Sequence, residues 1–203
     1  MNITLSEDQR DCLQELINVA MGQASDKLAR YLETFVHLDV PYIELVGSDT
    51  LPLLFAQKYN GSSVSVVSQG FYGNDGIRGE SLLVYRRDNA KEVASLLGYE
   101  PEEANENEQL ADISSILTTT FLNGLAELIS NQMSYSAPRL ISSLNTSLDS
   151  HLEQLSFNWE LALKVDISYQ VTDYSFNCDM ILLIPGEAIQ NIQSVLDRIL
   201  EEY

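Results

Sequence analysis

The sequence predicts an α/β fold of the α+β type: one antiparallel-rich sheet flanked by two long helices, built from two helix–strand–hairpin–helix units. Three observations predict it. Residues 7–35 and 110–132 carry apolar side chains at helical spacing. Segments of period-two alternation follow each of these stretches. The pieces then recur in the same order about 97 to 99 residues later, so that residues 1–98 and 99–203 match one another. A chain of 203 residues can bury one good core, and the expectation is a single domain over 1–203 with internal pseudo-two-fold symmetry.

The first helix opens on Ser6-Glu7-Asp8-Gln9, a capping box in which the serine hydroxyl and glutamine side chain satisfy free backbone N–H groups. Leu13, Leu16, Ile17, Ala20, Ala24, Leu28, Leu32 and Phe35 form its apolar stripe. Around Asp39 the period changes, and Pro41 opens PYIELV, a position where a strand tolerates proline. After a loop, SSVSVVSQGFYG (62–73), the turn-prone NDG (74–76) and GESLLVYRR (79–87) spell a hairpin. A short helix over 88–98 follows, with Asp88 as N-cap and Gly98 as stop.

YEPEEANENEQ (99–109) is an acidic connector. The second long helix then places Leu110, Ile113, Leu117, Phe121, Leu125 and Leu128 at helical spacing. Pro138 opens PRLISS as Pro41 opened PYIELV, and residues 142–159 are polar and ambiguous. Residues 160–172 and 178–185 read as strands, and 186–203 as a closing helix.

Composition excludes several functions. A net charge of −19, with only 11 Lys and Arg, opposes binding to phosphate backbones or anionic membranes. No run reaches the roughly 18 to 20 apolar residues of a membrane span. The acidic N-terminus lacks a signal-peptide pattern, which makes the cytoplasm the expected location. Cys12 and Cys178 are too few and too far apart for a disulfide framework and read as packing residues. His37 and His151 have neither zinc-ligand nor triad spacing, so no metal is expected on this chain.

One polar pattern stands apart. On the first helix Asp11, Glu15 and Asn18 fall within roughly 60° of one another at about 100° per residue, nearly opposite the apolar stripe. Gly22, Ser25 and Ala29 continue that outward line with small side chains, leaving room for another protein's backbone. Glu108, Asp112, Ser115 and Thr119 trace the same line on the second helix. Spacing alone favours a solvated face, with an acid near the positive helix start, over a site.

The pattern resembles that of the CheC/CheX/FliY family of chemotaxis phosphatases: Asp or Ser, then Glu four residues on, Asn three further, and Pro after a 22-residue gap. Asp11, Glu15, Asn18 and Pro41 meet each spacing. GESLLVYRRDNAKEVASLLG is similar to the family's strand–helix unit, and the duplicated layout is that of CheC. The resemblance spans essentially the whole chain. It implies hydrolysis of the aspartyl-phosphate on a CheY-type response regulator. The Mg²⁺ would belong to the regulator, so no cofactor is implied here. Asn18 would place the attacking water, Glu15 would pair with a lysine of the regulator, and Asp11 would support docking at the rim, with Gly22 and Ser25 beside it.

The second copy departs from the pattern. Asp112 replaces Glu, Ser115 replaces Asn, and Glu108 stands where Asp or Ser is usual. A weak or inactive second face is expected, either a drifted repeat kept for folding or an altered binding surface. The chain also lacks the extra segments of FliY-like members, while CheX-like members are shorter and dimerise, so a CheC-like monomer is expected. CheC-like members can also bind the deamidase CheD, for which this sequence offers no motif. Beside the phosphatase stand two alternatives: a binding module for a phosphorylated regulator or CheD, and a structural adaptor.

Overall fold

A computed structural model of the chain describes residues 4–39, 42–47, 49–59, 64–86, 93–99, 105–141, 161–172 and 176–202. Pro41, Asp88 and the ambiguous stretch 142–159 lie outside the described residues.

Helix α1 runs Glu7–Tyr31 and is followed by the short strands β1, Val36–Leu38, and β2, Tyr42–Gly47. Helix α2, Leu51–Lys58, precedes the hairpin of β3, Val64–Gly73, and β4, Arg78–Arg86. Helix α3, Val93–Leu97, leads to the long helix α4, Glu106–Leu128. Strands β5, Met133–Tyr135, and β6, Arg139–Ile141, come next. The hairpin of β7, Leu161–Val171, and β8, Asn177–Pro185, ends in helix α5, Gly186–Glu201.

Several boundaries differ from expectation for local reasons. The first helix stops at Tyr31, short of Phe35, which is 67% exposed and outside the core. Glu33 takes a left-handed φ of 52° and turns the chain toward β1. α4 begins earlier than residue 110, because Asn105 accepts from the backbone N–H groups of Asn107 and Glu108 and Glu108 reaches back to Asn105. It ends at Leu128, before Ser130 at φ 53°. β1, α2 and β5 are too short for periodicity to reveal. In the first hairpin Asp75 and Gly76 both adopt positive φ, as its turn-prone sequence requires.

All strands join one sheet in the order β1-β7-β8-β4-β3-β5, with β2 also on β7 and β6 also on β3, and every pairing is antiparallel. The registers obey a two-fold relation. Val36 pairs with Val171; Met133, 97 residues after Val36, pairs with Gly73, 98 residues before Val171. Glu44 pairs with Lys164, and Ile141 with Val66, at the same two offsets. At the centre Leu82 pairs with Ile181, 99 residues on, which is its own counterpart in the offset of the strand–helix units. The short strands of each half thus pair with the hairpin of the other half. This exchange binds the halves into one sheet and supports the reading of two repeats.

The larger core lies between the sheet and α1, α3, α4 and α5, where Leu13, Ile17, Ala20, Phe71, Leu83, Leu117, Phe121, Leu182 and Ile189 are buried together. Fully burying a Leu, Ile or Phe side chain contributes roughly 1.5–3 kcal/mol. A smaller cluster with Leu51, Phe55, Val66, Leu82 and Ile181 sits under α2 on the other face. α1 and α4 lie side by side on the first face and cross where Gly124 approaches Ala20; a Cβ on Gly124 would sit 3.5 Å from the Ala20 carbonyl oxygen.

Candidate functional site

The candidate row lies on the solvent side of α1. Leu13, Ile17, Ala20, Ala24 and Leu28 anchor the opposite side, and Gln9 ties the first turn to α5 by donating to Asp197 Oδ1 at 2.7 Å. Asp11, Glu15, Asn18 and Gly22 are all exposed on consecutive turns. Asp11 and Glu15 make no hydrogen bond or ion pair among the described residues. Asn18 accepts at Oδ1 from Gln14 Nε2 at 3.3 Å, leaving its Nδ2 without a partner among the described residues. A Cβ on Gly22 would meet nothing within 4 Å, so packing within this chain does not require glycine there. A helix-interior glycine costs about 1 kcal/mol relative to alanine, and here that cost leaves open space beside Asn18.

Ser25 departs from the outward line. It is half-buried and donates its hydroxyl to the Val36 carbonyl at 2.5 Å, fastening α1 to β1. Ala29 packs against the core. The exposed row therefore ends at Gly22, and Ser25 holds the helix in place rather than meeting solvent.

The second row is placed differently. Glu108 Oε2 accepts from the backbone N–H of Asn105 at 3.1 Å. Asp112 accepts from the Tyr99 hydroxyl at 2.6 Å. Ser115 is half-buried and accepts from Gln69 Nε2 at 3.4 Å, while the Thr119 hydroxyl donates to the Ser115 carbonyl at 2.7 Å. The outward line expected for this row holds only for Glu108 and Asp112. Asp11 stands five residues past its cap Ser6, but Glu108 only three past Asn105, which puts it where a capping box needs an acceptor. Farther inside, Tyr85 and Ser114 share a hydrogen bond of 2.7 Å and Ser81 and Thr118 one of 3.1 Å, all buried. Burial pushes the Tyr85 hydroxyl well above its ordinary pKa, so it stays neutral. Composition did not reveal this inner polar side of α4, because Ser and Thr at buried positions look like surface residues in a sequence.

The exposed row is not a small-molecule pocket. The gap beneath α1, about 40 Å³, is walled only by apolar side chains such as Leu13, Ile17 and Leu125. Two open grooves, of about 710 and 400 Å³, are lined by other residues. Among the described residues, no cluster of three or more His, Cys, Asp or Glu could hold a metal ion. No described helix is long and apolar enough to cross a membrane. Cys12 and Cys178 are free thiols, and burial raises the pKa of both. A convex polar row on a rigid helix suits a macromolecular surface, not an enclosed ligand.

The proteins this chain is similar to are chemotaxis proteins, a CheC in sequence and a FliY in fold. The CheY-P phosphatase CheC of Bacillus subtilis (strain 168) is 25% identical over 173 residues, covering 81% of each chain. FliY of Thermotoga maritima matches with a TM-score of 0.69 at 18% identity, over 97% of this chain and 99% of that one. The FliM middle domain from H. pylori matches with a TM-score of 0.62 at 15% identity, over 94% and 99%. No protein-family model matches the chain.

Proposed function

We propose that this chain hydrolyses the aspartyl-phosphate of a CheY-type receiver domain, with Asn18 and Glu15 as its working residues. The observation that carries the reading is the exposed Asp11–Glu15–Asn18 row, whose two carboxylates are unpaired among the described residues on a helix seated by a hydrocarbon core. An acyl phosphate is already activated, so the task is to place a water in line with the P–O bond. The water oxygen forms the new bond to phosphorus as the bond to the aspartyl oxygen breaks. That carboxylate leaves with the bonding electrons, and the water proton departs with the inorganic phosphate. An uncharged amide at Asn18 holds the water without repelling the phosphoryl group. Glu15, one turn earlier, pairs with a lysine of the receiver, and Asp11 supports the rim. Mg²⁺ stays with the receiver, and this chain acts as a monomer in the cytoplasm.

The fold likeness to FliM, whose structures include complexes with FliG and with SpeE, favours keeping a second reading: a module that binds a receiver or CheD without hydrolysis. The two separate in one experiment. Decay of a phosphorylated receiver is followed with wild type and Asn18→Ala, alongside binding of both to the receiver. The phosphatase reading expects acceleration by wild type and a loss of about tenfold or more in Asn18→Ala at similar affinity. Binding without acceleration by wild type would establish the binding module instead.

A further inference from the structure

We infer that Gln14 is a positioning residue for Asn18, setting which end of its carboxamide faces the partner. The inference rests on the phosphatase reading above and adds to it a residue outside the Asp11–Glu15–Asn18 pattern.

Gln14 lies one turn before Asn18, and its Nε2 donates to Asn18 Oδ1 at 3.3 Å. Residues four apart on a helix are neighbours, so the contact follows from spacing. An exposed asparagine otherwise presents either end of its amide, because χ2 is a broad, nearly two-fold torsion. With Gln14 Nε2 on Oδ1, a flip of Asn18 alone would set two N–H groups against one another, so both amides must turn together to restore a bond. Asn18 then keeps Nδ2 directed away from Gln14, and Oδ1 retains a second lone pair for a water.

The other half of the molecule supplies an independent contrast. At the repeat offset of 97, the position of Gln14 is taken by Ala111, which cannot donate from its side chain. Ser115 is instead gripped from the sheet by Gln69, only 2% exposed, which also donates to the Ser136 carbonyl at 2.9 Å. At the hairpin offset of 98, the position of Gln69 is taken in turn by Ile167, buried and apolar. Each motif position is thus bonded by one glutamine of the first half, Asn18 along the helix surface and Ser115 from the sheet. Asn18, held along the surface, is exposed, while Ser115, bonded from β3, is half-buried.

Gln14→Met, Gln14→Lys and Gln14→Glu test the role against wild type and Asn18→Ala. Lysine keeps a donor for Oδ1, methionine has none, and glutamate accepts and so favours the flipped amide. The expected result is a kcat about two- to threefold lower in Gln14→Met at unchanged KM, a larger loss in Gln14→Glu, and a kcat near wild type in Gln14→Lys. In the free protein, ¹⁵N relaxation of the Asn18 side-chain amide should show increased motion in Gln14→Met. Equal kcat in all three variants, with a deep loss in Asn18→Ala, overturns the positioning role and leaves the phosphatase reading standing. Unchanged activity in Asn18→Ala overturns that reading itself. Asn18 amide dynamics that are the same in wild type and Gln14→Met overturn the contact independently of activity.

Discussion

Helices α1 and α4 occupy matching places on the same sheet, yet they are held by different forces. The fully buried positions of α1 beyond its first turn are all hydrophobic, Leu13, Ile17, Ala20, Met21, Ala24 and Leu28, with Ser25 adding one hydrogen bond to β1 at the edge. That of α4 mixes Leu110, Ile113, Leu117 and Phe121 with Ser114 and Thr118, which hydrogen-bond to Tyr85 and Ser81. Outside, the same contrast recurs. Asp11 and Glu15 are unengaged among the described residues, while Glu108 caps its helix, Asp112 holds Tyr99 and Ser115 takes a bond from Gln69. Non-directional packing can seat a helix without using its polar residues, and these remain available to a partner. Hydrogen-bonded packing engages the polar residues within the chain.

This contrast predicts a ranked set of effects. Ile17→Ala removes a side chain 1% exposed and should destabilise by about 2–5 kcal/mol in chemical denaturation. On α4, Ser114→Ala strands the buried Tyr85 hydroxyl and should cost about 1–3 kcal/mol. Adding Tyr85→Phe should recover much of that loss, since removing both partners leaves nothing unsatisfied. Failure of the double variant to recover would mean that the Tyr85–Ser114 bond does not help to seat α4. Gly22→Ala should raise stability by up to about 1 kcal/mol, because a methyl there meets nothing within 4 Å, and should slow receiver dephosphorylation if a partner fills that space. Stabilisation without slowing would remove Gly22 from the docking surface. The smallest effect concerns charge. With −19 on this chain, affinity for an acidic receiver should rise about twofold as salt screens net repulsion, measured by titration at low and physiological ionic strength.

The layout was legible in the sequence wherever a period ran long enough to register. The two long helices, both hairpins, the closing helix and the outward Asp11, Glu15 and Asn18 follow from spacing, and the Ser6 capping box formed as its residues require. What spacing could not carry was contact between distant segments. Nothing local to Ser25 indicates Val36, nothing local to Ser115 indicates Gln69, and nothing local to Asp112 marks Tyr99 as its donor. Three-residue strands such as Val36–Leu38 and Met133–Tyr135 exist because a hairpin of the other half offers them an edge, a cause far away in the chain, at Val171 and Gly73. The asymmetry between the rows was visible as a change of residue types, but its physical form, a second row bonded inward, needed the fold.

The most direct measurement compares two single variants in one assay, the decay of a phosphorylated CheY-type receiver with Asn18→Ala and with Ser115→Ala. A loss of about tenfold or more is expected for Asn18→Ala and a rate within about twofold of wild type for Ser115→Ala. A greater loss in Ser115→Ala would contradict this and make α4 the working helix.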